Sequence, residues 1–226
     1  MIAPPLIRGG VALRAASLVL GLGLFAVGIV LLLESGLGLS PWDVLNQGIS
    51  ERTPLSFGMA NVAVALVVLA LAWVLGARVG PGTVANAVLI GVFVDLLLRL
   101  DVVQQLAEEP WPVRAALVAG GILVIGLGSA FYIGAGMGAG PRDSLMLVLA
   151  ERSRIRIGVV RGALEIAVTA VGFALGGTVG IGTLAFALGI GPAVEASFWL
   201  LGHTPLTERD REGHEAGPQP SSIVAR

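Results

Sequence analysis

Two acidic turns carry the residue types best placed to do chemistry in this chain. They read Ser40-Pro41-Trp42-Asp43 and Gly140-Pro141-Arg142-Asp143. Ser or Gly suits the N-cap, Pro the first helical position, and Asp two residues later complements the free N–H groups and the helix dipole. Read that way, the chemistry is capping. The same turns, placed where a helix starts inside a membrane, would aim two half-helix ends at a central cavity. Each Asp already occupies the positive pole of its helix, which argues against an anionic substrate there.

Further ionisable and amide side chains lie within apolar stretches. Asp95 and Glu195 each follow a glycine, Gly91 and Gly191, by four residues. Arg161 and Glu165 are spaced to face each other on one helix. Charges inside a membrane are costly and mark pathways by default. The plainer alternatives are an acid capping or snorkelling near the interface, and a local structural ion pair. By depth, Arg161 is expected to pair with Glu195 or with Glu165, with Asp95 the counterpart of Glu195 in the first half. The candidate pathway set is Asp43, Asn46, Asn86, Asp95, Asp143, Arg161, Glu165, Thr183 and Glu195. Ser40, Pro41, Gly140 and Pro141 form the helix-start turns, and Trp42 is expected to anchor at the interface. Asn46, Gln47, Asn61 and Asn86 have Met146, Leu147, Arg161 and Phe186 as counterparts, so any polar lining is asymmetric.

Other chemistries find little support. The chain has no cysteine, and His203 and His214 lie beyond the last apolar segment. Neither a metal site nor a cofactor is expected, and no nucleophile motif suggests an enzyme. A net charge of -1 gives no nucleic-acid footprint.

The elements that must position these residues are membrane helices. The chain is 55% hydrophobic and 13% charged, with mean hydropathy +0.90. Soluble domains carry about 25% charged residues, so the partner implied first is a lipid bilayer. Six stretches are long enough to cross it: 13–34, 56–77, 80–99, 115–138, 157–176 and 179–201. Two shorter pieces, 41–51 and 141–151, follow the acidic turns and are too short to cross. They read as re-entrant or interfacial helices.

The chain also contains itself twice. Arg14, Gly36, Gly38, Pro41, Asp43, Glu51, Gly80, Gly82, Thr83 and Gly91 recur, identical and without a gap, at positions larger by one hundred. Scattered apolar matches arise by composition; Gly, Pro and Asp in register do not. Gly21, Gly28, Gly121 and Gly128 recur at helical spacing and suit close helix approach. Each repeat holds three spans, an odd number, so the second is expected to be inverted relative to the first. The Arg distribution agrees: Arg78, Arg152, Arg154 and Arg156 fall on the side of both termini, which the positive-inside rule makes cytoplasmic. The expected fold is thus all-α, with six transmembrane helices in two inverted three-helix repeats, each with a short re-entrant or interfacial helix. Its segments are a cytoplasmic stretch 1–12, repeat 1 at 13–101, an external loop 102–112, repeat 2 at 113–201 and a disordered cytoplasmic tail 202–226.

The stretch from Gly38 through Gly48, with Ser56-Phe57-Gly58 and Gly82-Thr83-Val84-Ala85-Asn86, resembles the bacterial YczE/YyaS/YitT-like integral membrane proteins. Gly138 through Leu145 and Gly180-Ile181-Gly182-Thr183 extend the resemblance over residues 14–200. It implies a multi-pass protein of the bacterial cytoplasmic membrane and names no substrate. The leading functional expectation is a small transporter or permease. The alternative is a membrane scaffold or regulatory subunit, which would need no substrate-sized polar cavity. A second copy or a partner membrane protein are the candidate protein partners.

Overall fold

The structure is a computed structural model and describes residues 6–204 and 206–207. Among them are eight helices longer than a single turn: α1 (Val11–Ser35), α2 (Pro41–Arg52), α3 (Phe57–Val74), α4 (Pro81–Leu97), α5 (Trp111–Gly134), α6 (Pro141–Ser153), α7 (Ile157–Ala174) and α8 (Ile181–Gly202). A helical turn at Asp101–Gln104 and a 3-10 turn at Gln105–Glu108 join α4 to α5. No strand occurs among the described residues, only one isolated bridge, Ile7 to Thr207.

Five helices, α1, α3, α5, α7 and α8, are long and apolar enough to cross a bilayer. The sixth expected span, α4, is apolar but has 17 residues. At 1.5 Å per residue it is about 26 Å long, a little short of a hydrocarbon core of about 30 Å.

The sequence sets these boundaries locally. The Ser40 hydroxyl accepts the Asp43 N–H at 3.4 Å and starts α2. Ser56 accepts the Met59 N–H at 3.1 Å and starts α3. The Thr83 and Thr183 hydroxyls accept the N–H of Gly80 and Gly180 at 3.2 and 3.3 Å, and start α4 and α8. Gly36 and Gly136, with φ of 59° and 61°, follow the ends of α1 and α5 in the left-handed conformation that glycine adopts without strain.

The core forms where α1 meets α5. A methyl group on Gly28 would lie 2.7 Å from the Gly121 carbonyl oxygen, and one on Gly128 would lie 2.6 Å from that of Gly21. Only glycine lets the two backbones come this close. Gly21 opposite Gly128, and Gly28 opposite Gly121, mean that α1 and α5 run antiparallel. The ends agree. Arg14 donates to the carbonyl oxygens of Ala135 and Gly136, both at 2.6 Å, and Arg114 donates to that of Ser35 at 2.6 Å. Each Arg satisfies free carbonyls at the C-terminus of the other helix.

Other contacts are reciprocal too. The Gly82 N–H donates to Met137 O at 2.9 Å, and the Gly182 N–H to Leu37 O at 2.8 Å. Short α2 packs on α7, where Gly48 faces Gly172 and Arg52 donates to Leu175 O at 3.0 Å. Short α6 packs on α3, where Leu145 and Val148 meet Val64, Val68 and Ala72. The last two helices of each half are not reciprocal. α3 and α4 pack on each other, whereas α7 and α8 barely meet.

Of the tail expected to be disordered from residue 202, residues 202–204 and 206–207 are described, and Gly202 is the last residue of α8. Thr207 is buried and its hydroxyl donates to Leu201 O at 3.1 Å, while the Arg8 N–H donates to Leu206 O at 2.7 Å. Residues 206–207 are therefore ordered against the N-terminal segment, because backbone pairing and a buried hydroxyl hold them. The tail beyond 207 lies outside the described residues.

Candidate functional site

The N-terminal ends of α2 and α6 meet at one cavity of about 220 Å³. Phe25 and Ile125, near the midpoints of α1 and α5, also line it, which places it at mid-height of the bundle. The two short helices thus reach the middle of the fold rather than lying along its rim.

Asp43 is 1% exposed and closely held. The Ser40 hydroxyl donates to Asp43 Oδ2, and Asn46 Nδ2 donates to Oδ1 at 3.3 Å. From the other half, Arg142 Nη2 stands 3.8 Å from Asp43 Oδ1. The same guanidinium lies 5.2 Å from the centroid of the Trp42 ring, a cation–π contact. Asp143 has a different partner: the Tyr132 hydroxyl donates to its Oδ2 at 3.0 Å. Arg161 Nε donates to Glu165 Oε1 at 2.8 Å on the α7 wall.

Of the expected pathway residues, Asp43, Asn86, Asp143, Arg161 and Glu165 line the cavity, as do Ser40, Pro41, Gly140 and Pro141. Asn46 sits behind the wall as a fully buried support for Asp43. Three others are elsewhere. Asp95 accepts the Ser56 hydroxyl at 2.5 Å and the Gly58 N–H at 2.8 Å, so it caps α3. Thr183 serves the start of α8. Glu195 is exposed on α8 and, among the described residues, has no ion pair. The expected alternative of Arg161 with Glu165 therefore holds and that with Glu195 does not, because the α7–α8 gap separates them.

Sequence reasoning placed Trp42 at the interface; the structure places it in the cavity wall, under Arg142. Tyr132 and Ser129 were not expected in the lining, whereas Asn61 was among the amides offered for it. Tyr132 carried a signal, being the one tyrosine of the chain and set in an apolar span. Asn61 is 2% exposed, and its Nδ2 has no hydrogen-bond partner among the described residues. A buried polar group left open in this way marks a place where water or a ligand belongs. Among the described residues, no three His, Cys, Asp or Glu side chains converge as a metal site would require.

Apolar helices around a mid-height cavity with charged side chains in its wall define a multi-pass membrane protein. The chain belongs to the YczE/YyaS-like membrane proteins: residues 12–197 match the model of a "Family of unknown function (DUF6198)". It is 35% identical over 190 residues to an uncharacterized protein of Haemophilus influenzae, covering 83% of this chain and 84% of that one. It is 31% identical to the uncharacterized membrane protein YczE of Bacillus subtilis, over 74% of this chain and 77% of that one. The uncharacterized protein YyaS of the same organism is 28% identical over 73% and 82%. No solved structure matches the chain.

Proposed function

We propose that this protein is a small transporter of the bacterial cytoplasmic membrane, with both termini cytoplasmic. Its halves act as inverted repeats of three spans and one re-entrant helix, related by a pseudo-twofold axis in the membrane plane. The antiparallel α1–α5 contact and the exchanged caps of Arg14 and Arg114 support that relation. The observation that carries the transport reading is the meeting of two half-helix starts, Pro41–Asp43 and Pro141–Asp143, at one mid-height cavity with charged side chains in its wall. Transporters place substrate sites at such points. A scaffold or regulatory subunit has no need of buried charges around an open Asn61 amide, whose burial is costly. The cavity offers both charge signs and several amide and hydroxyl groups, which suits a small polar molecule.

Proteoliposomes loaded with the wild-type chain and incubated with a cell extract should accumulate at least one polar compound that liposomes carrying Asn61→Leu do not. An identical uptake profile for the two, with both proteins folded, would reject the reading.

A further inference from the structure

Among the differences between the two halves, one is systematic: the packing of the last two helices of each. In the first half, α3 and α4 cross at Gly58 and Gly91. A methyl group on Gly58 would lie 2.1 Å from the Gly91 oxygen, and one on Gly91 would lie 2.3 Å from the Gly58 oxygen and 2.6 Å from Val62. Asp95 latches the crossing through the Ser56 hydroxyl and the Gly58 N–H. One hundred residues later the same positions are Gly158, Gly191, Gly162, Glu195 and Arg156. There a methyl group on Gly158, Gly162 or Gly191 would meet nothing within 4 Å. Glu195 and Arg156 are both exposed.

The second half thus carries the parts of a crossing without the crossing. Three glycines weaken a helix pair that makes no use of them, by about 1 kcal/mol each relative to Ala. Small residues three or four apart are what lets membrane helices approach. An acid such as Glu195, with no ion pair among the described residues, is costly in an apolar helix as well. A charged partner stands where Ser56 serves Asp95, since position 156 is Arg. Pro192, inside α8 beside Gly191, removes a backbone hydrogen bond and supplies a point of bending.

Both places border the cavity. Asn61 and Ile90 line it from α3 and α4, and Arg161 and Ile190 from α7 and α8. They also lie toward opposite ends of the bundle. α3 starts just after Arg52, which bonds Leu175 at the far end of α7, so the starts of α3 and α7 are at opposite ends.

We propose that Gly158, Gly162 and Gly191 are the open counterpart of the Gly58–Gly91 crossing, and that the protein alternates between two states. In this structure α3 and α4 are closed and α7 and α8 are apart. In the other, α7 and α8 close through Arg156–Glu195 while α3 and α4 part and release Asp95. The exchange moves access to the cavity from one end of the bundle to the other. The inference rests on the transporter reading for its purpose, though not for its test.

The chain has no native cysteine, so paired cysteines report directly. The full-length protein in liposomes is made as Ser56→Cys/Asp95→Cys, as Arg156→Cys/Glu195→Cys, and with all four substitutions, then oxidised and read by mass and non-reducing gel. Each pair should form a disulfide within one chain, and no molecule of the fourfold variant should hold both. Adding Gly158→Leu, which fits the open space here, should abolish the second disulfide alone. Four results would overturn the proposal: no Arg156→Cys/Glu195→Cys disulfide, one that only joins two copies, both disulfides in one molecule, or a second disulfide indifferent to Gly158→Leu. No substrate enters any arm. A protein that alternates yet accumulates nothing would therefore sink the transport reading and leave the gate, and the reverse holds equally.

Discussion

Arg142, on the first turn of α6, stands 3.8 Å from the carboxylate of Asp43, on the first turn of α2. The contact crosses between the halves at the point where both short helices begin. It sets a cation against a carboxylate at 1% exposure, and the Trp42 ring flanks the cation. The two helix starts carry partial positive charge, which the two Asp residues offset. Arg142 then offsets the Asp pair, so the site's charges are balanced across the halves.

Removing one partner leaves a buried charge uncompensated. Arg142→Leu should therefore lower stability by about 3 kcal/mol, within the range for broken buried pairs. Asp43→Asn combined with Arg142→Gln should cost less than the two single changes added together, since contacting residues couple. Thermal unfolding in detergent measures both. Strict additivity would show that the two side chains do not sense each other.

The α1–α5 crossing predicts a sharp contrast among glycines. A methyl group on Gly28 would sit 2.4 Å from Ile125 and 2.7 Å from the Gly121 oxygen, while one on Gly120 meets nothing within 4 Å. Gly28→Ala should deplete folded protein. Gly120→Ala should be neutral or raise stability by up to about 1 kcal/mol through helix propensity. Equal melting temperatures for the two variants would contradict the antiparallel packing.

Arg14 and Arg114 occupy equivalent positions and cap each other's helices. Arg14→Ala and Arg114→Ala should each cost about 1–2 kcal/mol, the usual scale for hydrogen bonds from a charged group. The effects should be of similar size. A large loss for one and none for the other would break the proposed twofold relation.

The paired helix ends were legible because Gly, Pro and Asp recur in register, and those residues mark helix ends and close approaches rather than general apolarity. Gly36 with Gly136 and Thr83 with Thr183 have the same local geometry in both halves. The acidic turns were legible for the same reason. The sequence did not reveal which intramembrane charges meet. Asp95 and Glu195 share one position in the repeat, yet one is bonded and the other exposed. That depends on whether two helices touch, which no local pattern encodes. Trp42 and Tyr132 were missed as lining because an aromatic in an apolar stretch reads equally as core, interface or site. The expected span 80–99 ran past the end of α4 because hydropathy alone carries it over Leu98 and Arg99, which lie beyond the helix.

Asn61 separates stability from function. Its side chain is 2% exposed, borders the cavity, and leaves Nδ2 without a partner among the described residues. A buried donor in that state costs about 1–3 kcal/mol in desolvation, and proteins retain such groups where function needs them. Leu is close in size and carries no donor. Asn61→Leu should therefore melt at the same temperature as the wild type or higher, while losing the uptake proposed above. Asn61→Asp keeps a polar group but removes the donor when ionised, and it should also lose uptake, at a cost in stability. If Asn61→Leu instead melts well below the wild type, the amide is already satisfied by fixed water, and its place in the wall is structural.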